Sequence, residues 1–236
     1  MLKLDHVVLH SDGTAHVEDL KETLQSAGIP YEPSWGKKAR GFRISNIWIG
    51  RQYFEIVEIH SDDNLWQPQW ADRHREGERG TFCLFLKVDR NIDDVYRQLV
   101  DSGVEATAPE RTRFKWLFGL LEKKLPWRFI TLPKIPGTDI ELGIIEYDEG
   151  AERKFEPFMV PNGTEVGLTG LSNPVIQSFH SDLAEQWLAQ IQTAIGEPLP
   201  IAVVARTSDE ALHLTVESSA GATFTGAAFS DVTLSP

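Results

Sequence analysis

Three times along the chain, a short apolar run meets a break, then a helical pattern closed by glycine, then two or three further apolar runs. A repeated unit of this kind constrains the fold more than any single motif, because each copy must bury its own apolar faces in the same way. In the first copy, Leu4-Asp5-His6-Val7-Val8-Leu9 reads as a strand and Ser11, Asp12 and Gly13 interrupt it. Val17, Leu20, Leu24 and Ala27 then fall at helical spacing before Gly28. In the second, the run Phe82–Val88 precedes Ile92, Val95, Leu99 and Val100, with Gly103 as the stop. In the third, Val166–Leu171 precedes Leu183, Trp187, Leu188, Ile191 and Ile195, stopped at Gly196. Strand patterns follow each helix, at Phe42–Ile49 and Tyr53–Ile59, at Trp127–Leu132 and Ile140–Tyr147, and at Ile201–Arg206, Ala211–Glu217 and Ala222–Leu234. Each unit therefore reads as βαβββ, and the chain as α+β.

Two copies fill roughly 1–150 and are expected to pair into one core. The charged stretch Glu149–Lys154, followed by Pro157, Pro161, Asn162 and Gly163, reads as a linker. A third, ligand-poor module is expected at 160–236, packed on that core. At 236 residues, with 41% hydrophobic and 25% charged residues, the chain can bury a core without metal or disulfide staples. Cys83 is the only cysteine, so no intrachain disulfide can form. The net charge of −12 opposes sequence-blind binding to nucleic acid. No apolar run is long enough for a membrane span, so a cytoplasmic protein is the expectation.

The chemistry-bearing residues sit in apolar strands. By strand parity His6 shares a side with Leu4 and Val8, and His10 extends that side, while Asp5, Val7 and Leu9 point the other way. Glu55 lies in Tyr53-Phe54-Glu55-Ile56-Val57, where a carboxylate is costly unless it is paired, metal-bound or in a cleft. Glu141 and Glu146 are five apart on one strand and so face opposite sides. A histidine and two carboxylates could hold a divalent metal or form a general base with its orienting partner. On residues alone, a hydrogen-bonded core histidine and solvent-facing glutamates are the commoner outcome. Walker-type, dinucleotide and nucleophile-elbow motifs are absent.

Leu4–Leu9, the helix after it and Tyr53-Phe54-Glu55-Ile56 together resemble the opening module of the vicinal-oxygen-chelate superfamily, which includes glyoxalase I and the extradiol dioxygenases. The whole layout is similar to its glyoxalase-like domain group, with Ile145-Glu146-Tyr147-Asp148 matching the ending of the second module. The resemblance implies paired modules curving around a cup (the glyoxalase/dihydroxybiphenyl dioxygenase-like fold). It also implies a divalent metal (zinc, manganese, nickel or iron) held by His6, Glu55 and Glu146, with Glu146 also the proton-shuttling catalytic carboxylate. The second-module histidine position falls on Cys83 or Leu84, so the four-ligand set lacks a member.

Between the second helix and the strand at Trp127 lies a basic and aromatic insertion, Arg111 to Phe129. Phe114, Leu117, Phe118 and Leu121 keep helical spacing, which predicts a short amphipathic helix covering the sheet, touching a second copy, or forming a lid. As a lid it would bring Arg113, Trp127 and Arg128 to the substrate; Trp127-Arg128-Phe129 also resembles the Trp-Arg strand of the glyoxalase-like group, a resemblance that implies Arg128 as the anion contact. The expected activity is that of a metal-dependent lyase or isomerase on a small oxygenated or carbonyl substrate. The alternatives are a non-catalytic small-molecule binder and an interaction module. The expected partner is a small molecule, with neither nucleic acid nor membrane, and a homodimer is the assembly to look for.

Overall fold

A computed structural model describes residues 1–34, 41–61, 67–116 and 121–236. The first module runs β1 (Lys3–His10), α1 (Thr14–Ser26), β2 (Phe42–Ile49) and β3 (Gln52–Ile59). A helix not foreseen from the sequence, α2 (Pro68–Arg75), joins it to the second module. There β4 (Gly80–Lys87) and α3 (Ile92–Asp101) precede β5 (Arg113–Trp116), β6 (Leu121–Lys124), β7 (Trp127–Lys134) and β8 (Glu141–Tyr147). The linker holds a short helix, α4 (Ala151–Phe155), and two 3₁₀ turns. The third unit comprises β9 (Leu168–Ser178), α5 (Ser181–Ile195), β10 (Ala202–Ala205), β11 (Leu212–Ser218), β12 (Ala227–Phe229) and β13 (Val232–Ser235).

Six strands of the first two modules form one mixed sheet in the order β2-β3-β1-β4-β8-β7. Each opening strand lies parallel to its module's last strand (β1 to β3, β4 to β8), and the two opening strands meet antiparallel at the centre. The halves are thus related by a pseudo-twofold axis between β1 and β4, the arrangement of a glyoxalase-like α+β fold. Strand alternation loads the two faces differently. One face carries Val7, Leu9, Leu84, Leu86, Leu142 and Ile144 against Val17, Leu20 and Leu24 of α1 and Ile92, Val95 and Leu99 of α3. The other carries Val8, Phe42, Val57, Phe82, Cys83, Phe85, Phe129 and Ile145.

The insertion departs from its expected form. Arg113–Trp116 and Leu121–Lys124 are antiparallel strands paired with each other, not the ends of a helix. Leu117 and Phe118, which carried the middle of the helical pattern, lie outside the described residues. The helical spacing of four apolar residues was overridden by cross-strand pairing of the segments that flank them.

The third unit keeps the strand–helix–strands order but pairs differently. Its sheet runs β10-β9-β11-β13-β12, so β9 and β10 are parallel neighbours joined by α5. Leu171, Ile176, Leu188, Ile191 and Leu214 belong to the same apolar core as the helix face of the first sheet. Directed hydrogen bonds fix the seam. Asp231 accepts from the Thr81 backbone (3.0 Å) and hydroxyl (2.8 Å), and the Gln52 amide bridges the Leu171 N–H and C=O at 2.6 Å each. Among the described residues, no helix is long and apolar enough to cross a membrane.

Candidate active site

A cavity of about 480 Å³ opens on the face of the first sheet that α1 and α3 do not cover. β2, β3 and the central strands supply its floor, β7 and β8 one wall, and the α4 segment with the turn after it the rim. Alternation explains the wall: Trp127 and Phe129 of β7 and Ile145 and Tyr147 of β8 are directly paired, and all four line the cavity. On the other side β2 and β3 contribute Phe42, Ile44, Asn46, Trp48, Tyr53 and Glu55 in the same alternating way. α2 covers the far end of this face, where Arg73 donates to Glu141 at 3.0 Å and its guanidinium lies 3.8 Å from the Phe82 ring centroid.

Parity fails near the start of β1, and that failure builds the floor. The β1–β4 register slips between Leu4 and His6, so Asp5 is a bulge residue opposite no partner of its own. Asp5 therefore points to the cavity together with His6, and Leu4 turns to the helix-side core instead of sharing His6's side. Asp5 Oδ2 lies 2.6 Å from His6 Nδ1 and accepts from the Tyr147 hydroxyl at 2.9 Å, and that hydroxyl also bonds the hydroxyl of Tyr53. The His6 ring is stacked between Tyr53 (centroids 4.6 Å apart) and Phe85 (4.4 Å). Phe85 can lie there because Gly143 stands beneath it, where a Cβ would collide with the ring.

Electrostatics sharpen the floor. Burial raises the Glu55 carboxyl above its ordinary range; the nearby His6 opposes that shift and Asp5 adds to it. Burial likewise pushes the Tyr53 phenol well up, with the Asp5 and Glu55 charges adding to it, and Tyr147 rises chiefly for the same reason. Burial also lifts the Cys83 thiol well above its usual value. Both phenols thus stay protonated as donors, and Cys83 stays an apolar filler.

The structure brings together only part of the residue set named from sequence. His6, Glu55 and Trp127 line the cavity. Glu146 does not: it pairs across the ladder with Arg128 on the opposite face from Tyr147, 4.0 Å from that guanidinium. The expected convergence of Glu146 with His6 and Glu55 is therefore corrected, because the bulk of Tyr147 and Ile145 claims the cavity side of β8. Glu141 does share the cavity face of the sheet, but as the counter-ion of Arg73 at the α2 end. Arg128 is no anion contact either, since it makes a bidentate pair with Asp93 of α3 (2.7 and 2.5 Å) on the helix side. Arg113 is exposed on β5, outside the cavity lining. Asp5 and Tyr147 were missed. An aspartate assigned by parity to a buried apolar face was itself the signal, since such a group must find a partner or a bulge.

A divalent metal, implied by the resemblance, fits this floor poorly. Among the described residues no group of three or more His, Cys, Asp and Glu side chains could hold an ion. His6 Nδ1 is engaged by Asp5, Glu146 faces away, and the place across β1 and β4 from His6 is filled by the Phe85 ring. Cys83, the remaining donor, is completely buried with a raised thiol.

No family model matches the sequence, and no curated protein is significantly similar to it. Solved structures do match. A hypothetical protein from Staphylococcus aureus superposes over 99% of this chain and 98% of its own, with a TM-score of 0.68 and 11% identity. The likeness is one of fold. A hypothetical protein from Bacillus halodurans covers 63% of this chain and 96% of its own, with a TM-score of 0.44 and 17% identity. A Streptomyces coelicolor methylmalonyl-CoA epimerase in complex with 2-nitronate-propionyl-CoA covers 62% and 95%, with a TM-score of 0.43 and 15% identity.

Proposed function

We propose that the chain is a glyoxalase-like protein that binds a small, largely apolar, oxygen-bearing molecule in this cavity and transfers a proton on it, as an isomerase or lyase would. The Asp5–His6 pair at the floor of an aromatic cavity carries this reading. An aspartate on Nδ1 fixes the imidazole tautomer, leaving Nε2 as the basic nitrogen for a ligand. The stacked Tyr53 and Phe85 rings hold the imidazole plane, so little reorganisation is needed when the proton moves. Glu55 is the second proton-carrying group, its raised pKa bringing it closer to neutrality than an exposed carboxylate. The Tyr53 and Tyr147 hydroxyls, chained onto Asp5, hold that carboxylate in place against the imidazole. A cavity of about 480 Å³ falls within the size range of small-molecule sites.

A second reading, a non-catalytic binder, is favoured by one observation. The Asp5, Tyr147 and Tyr53 groups satisfy one another without a ligand, as a purely structural network would. One experiment separates the two. A panel of small aldehydes, ketones and hydroxyketones is incubated with the protein in D₂O, and NMR follows both saturation transfer and loss of the C–H signal beside the carbonyl. The enzyme reading expects binding with deuterium exchange, and His6→Asn should slow exchange by on the order of 100-fold or more while binding persists. Binding without exchange would establish the binder. If no panel member bound, both would fail.

A further inference from the structure

The floor of the cavity presents acceptors that have nothing to accept from. Glu55 and Asn46 are directly paired across β3 and β2, so their side chains stand side by side on the cavity face. The Asn46 amide oxygen is buried with no hydrogen-bond partner. Among the described residues Glu55 makes no hydrogen bond or ion pair, and it stands half-buried in the cavity lining. An unpaired carboxyl beside a buried unpaired carbonyl leaves both acceptors wanting a donor.

The described residues offer no free cation to that spot. Among the described residues of the lining the one basic side chain besides His6 is that of Arg51, a largely exposed rim residue committed to Glu156 at 2.5 Å. Lys87, near the Tyr147 ring, is tied to Glu152 at 2.6 Å. The walls are aromatic on both sides: Trp48 and Tyr53 pack together (4.4 Å), and Trp127 packs on Tyr147 (6.2 Å) and Phe155 (5.6 Å). Ring faces beside the Glu55 carboxyl and the unpaired Asn46 carbonyl favour one chemistry, an organic cation with N–H groups to donate.

We infer that the ligand of this cavity carries a protonated amine on an apolar body, the ammonium seated at Glu55 and Asn46 and enclosed by the aromatic walls. The inference rests on the small-molecule reading above and narrows its substrate class. An anionic ligand would meet Asp5 and Glu55 with no free cation among the described lining residues to offset them.

The test uses three probes that share a phenethyl body, phenethylammonium, 2-phenylethanol and 3-phenylpropanoate, titrated calorimetrically at neutral pH into the intact protein. The ammonium should bind at least about tenfold tighter than the alcohol, and the carboxylate weakest of all. Glu55→Gln should abolish the preference of ammonium over alcohol. The wild-type ranking decides the matter even if that variant misfolds. Alcohol or carboxylate binding as tightly as the ammonium would overturn the amine inference and leave the small-molecule reading standing. Failure of all three to bind would overturn both.

Discussion

His10 makes the fold acid-sensitive, by an amount that follows from where its ring lies. It is 1% exposed, with both ring nitrogens buried and lacking hydrogen-bond partners. The ring is stacked on Phe82 and meets the edge of Trp70 from α2. Desolvation is the main cause that brings its pKa from 6.5 to about 2, and the neighbouring Arg73, His74 and Arg79 lower it further. A proton therefore enters the unfolded chain near 6.5 but enters the folded one only near 2. The stability that neutral His10 allows is present above 6.5 and is lost as pH falls below it, at about 1.4 kcal/mol per unit. Between about pH 7 and about pH 5 this amounts to about 2 kcal/mol. The perturbation that isolates it is His10→Phe, which keeps a flat ring between Phe82 and Trp70 and cannot titrate. Urea unfolding of both proteins at the two pH values gives a double difference from which carboxylates and His74, common to both, cancel. Wild type should lose about 2 kcal/mol more than His10→Phe on acidification. Equal losses, within about 0.5 kcal/mol, would refute the claim that His10 is held neutral in the folded state.

Other expectations concern the geometry around the cavity. Gly143→Ala places a methyl group against the Phe85 ring, and a cost of about 1–3 kcal/mol is expected, read by thermal unfolding, with a shift of the His6 ring resonances as Phe85 moves. Arg128→Ala should leave ligand affinity unchanged, measured by calorimetry, and cost under about 1 kcal/mol, because its pair with Asp93 is partly exposed and on the opposite face. Ending the chain after Asp148 should give insoluble protein in a sedimentation assay, because it strips Leu171, Ile176, Leu188 and Ile191 from a core shared with the first sheet. A soluble, cooperatively folding product would show that the third unit packs independently.

Much of the architecture was legible in the chain because it depends on local patterning. Phe42–Ile49 and Tyr53–Ile59 match β2 and β3 nearly residue for residue, and the three repeated helices match α1, α3 and α5. Apolar residues at helical spacing with a glycine stop have few alternatives once a partner sheet exists. Less of the site was legible. His6 and Glu55 stood out as ionisable groups in apolar strands, and Trp127 as an aromatic of the basic insertion; all three line the cavity. α2 was not read at all: Pro68–Arg75 is short and polar, and only Trp70, Ala71 and Arg73 are buried.

What the sequence by itself determined is the alternation of apolar and polar residues along each strand, and hence which residues can share a face. Which face becomes the cavity and where alternation breaks depend on contacts between segments far apart in the chain. The bulge at Asp5 exists only in the pairing of β1 with β4, and it turned an apparent core aspartate into the partner of His6. The same rule of alternation, anchored by Tyr147 on β8, sent Glu146 to the helix side and Arg128 with it. A single-residue slip in register reverses the side on which every neighbour points, and no local pattern records it.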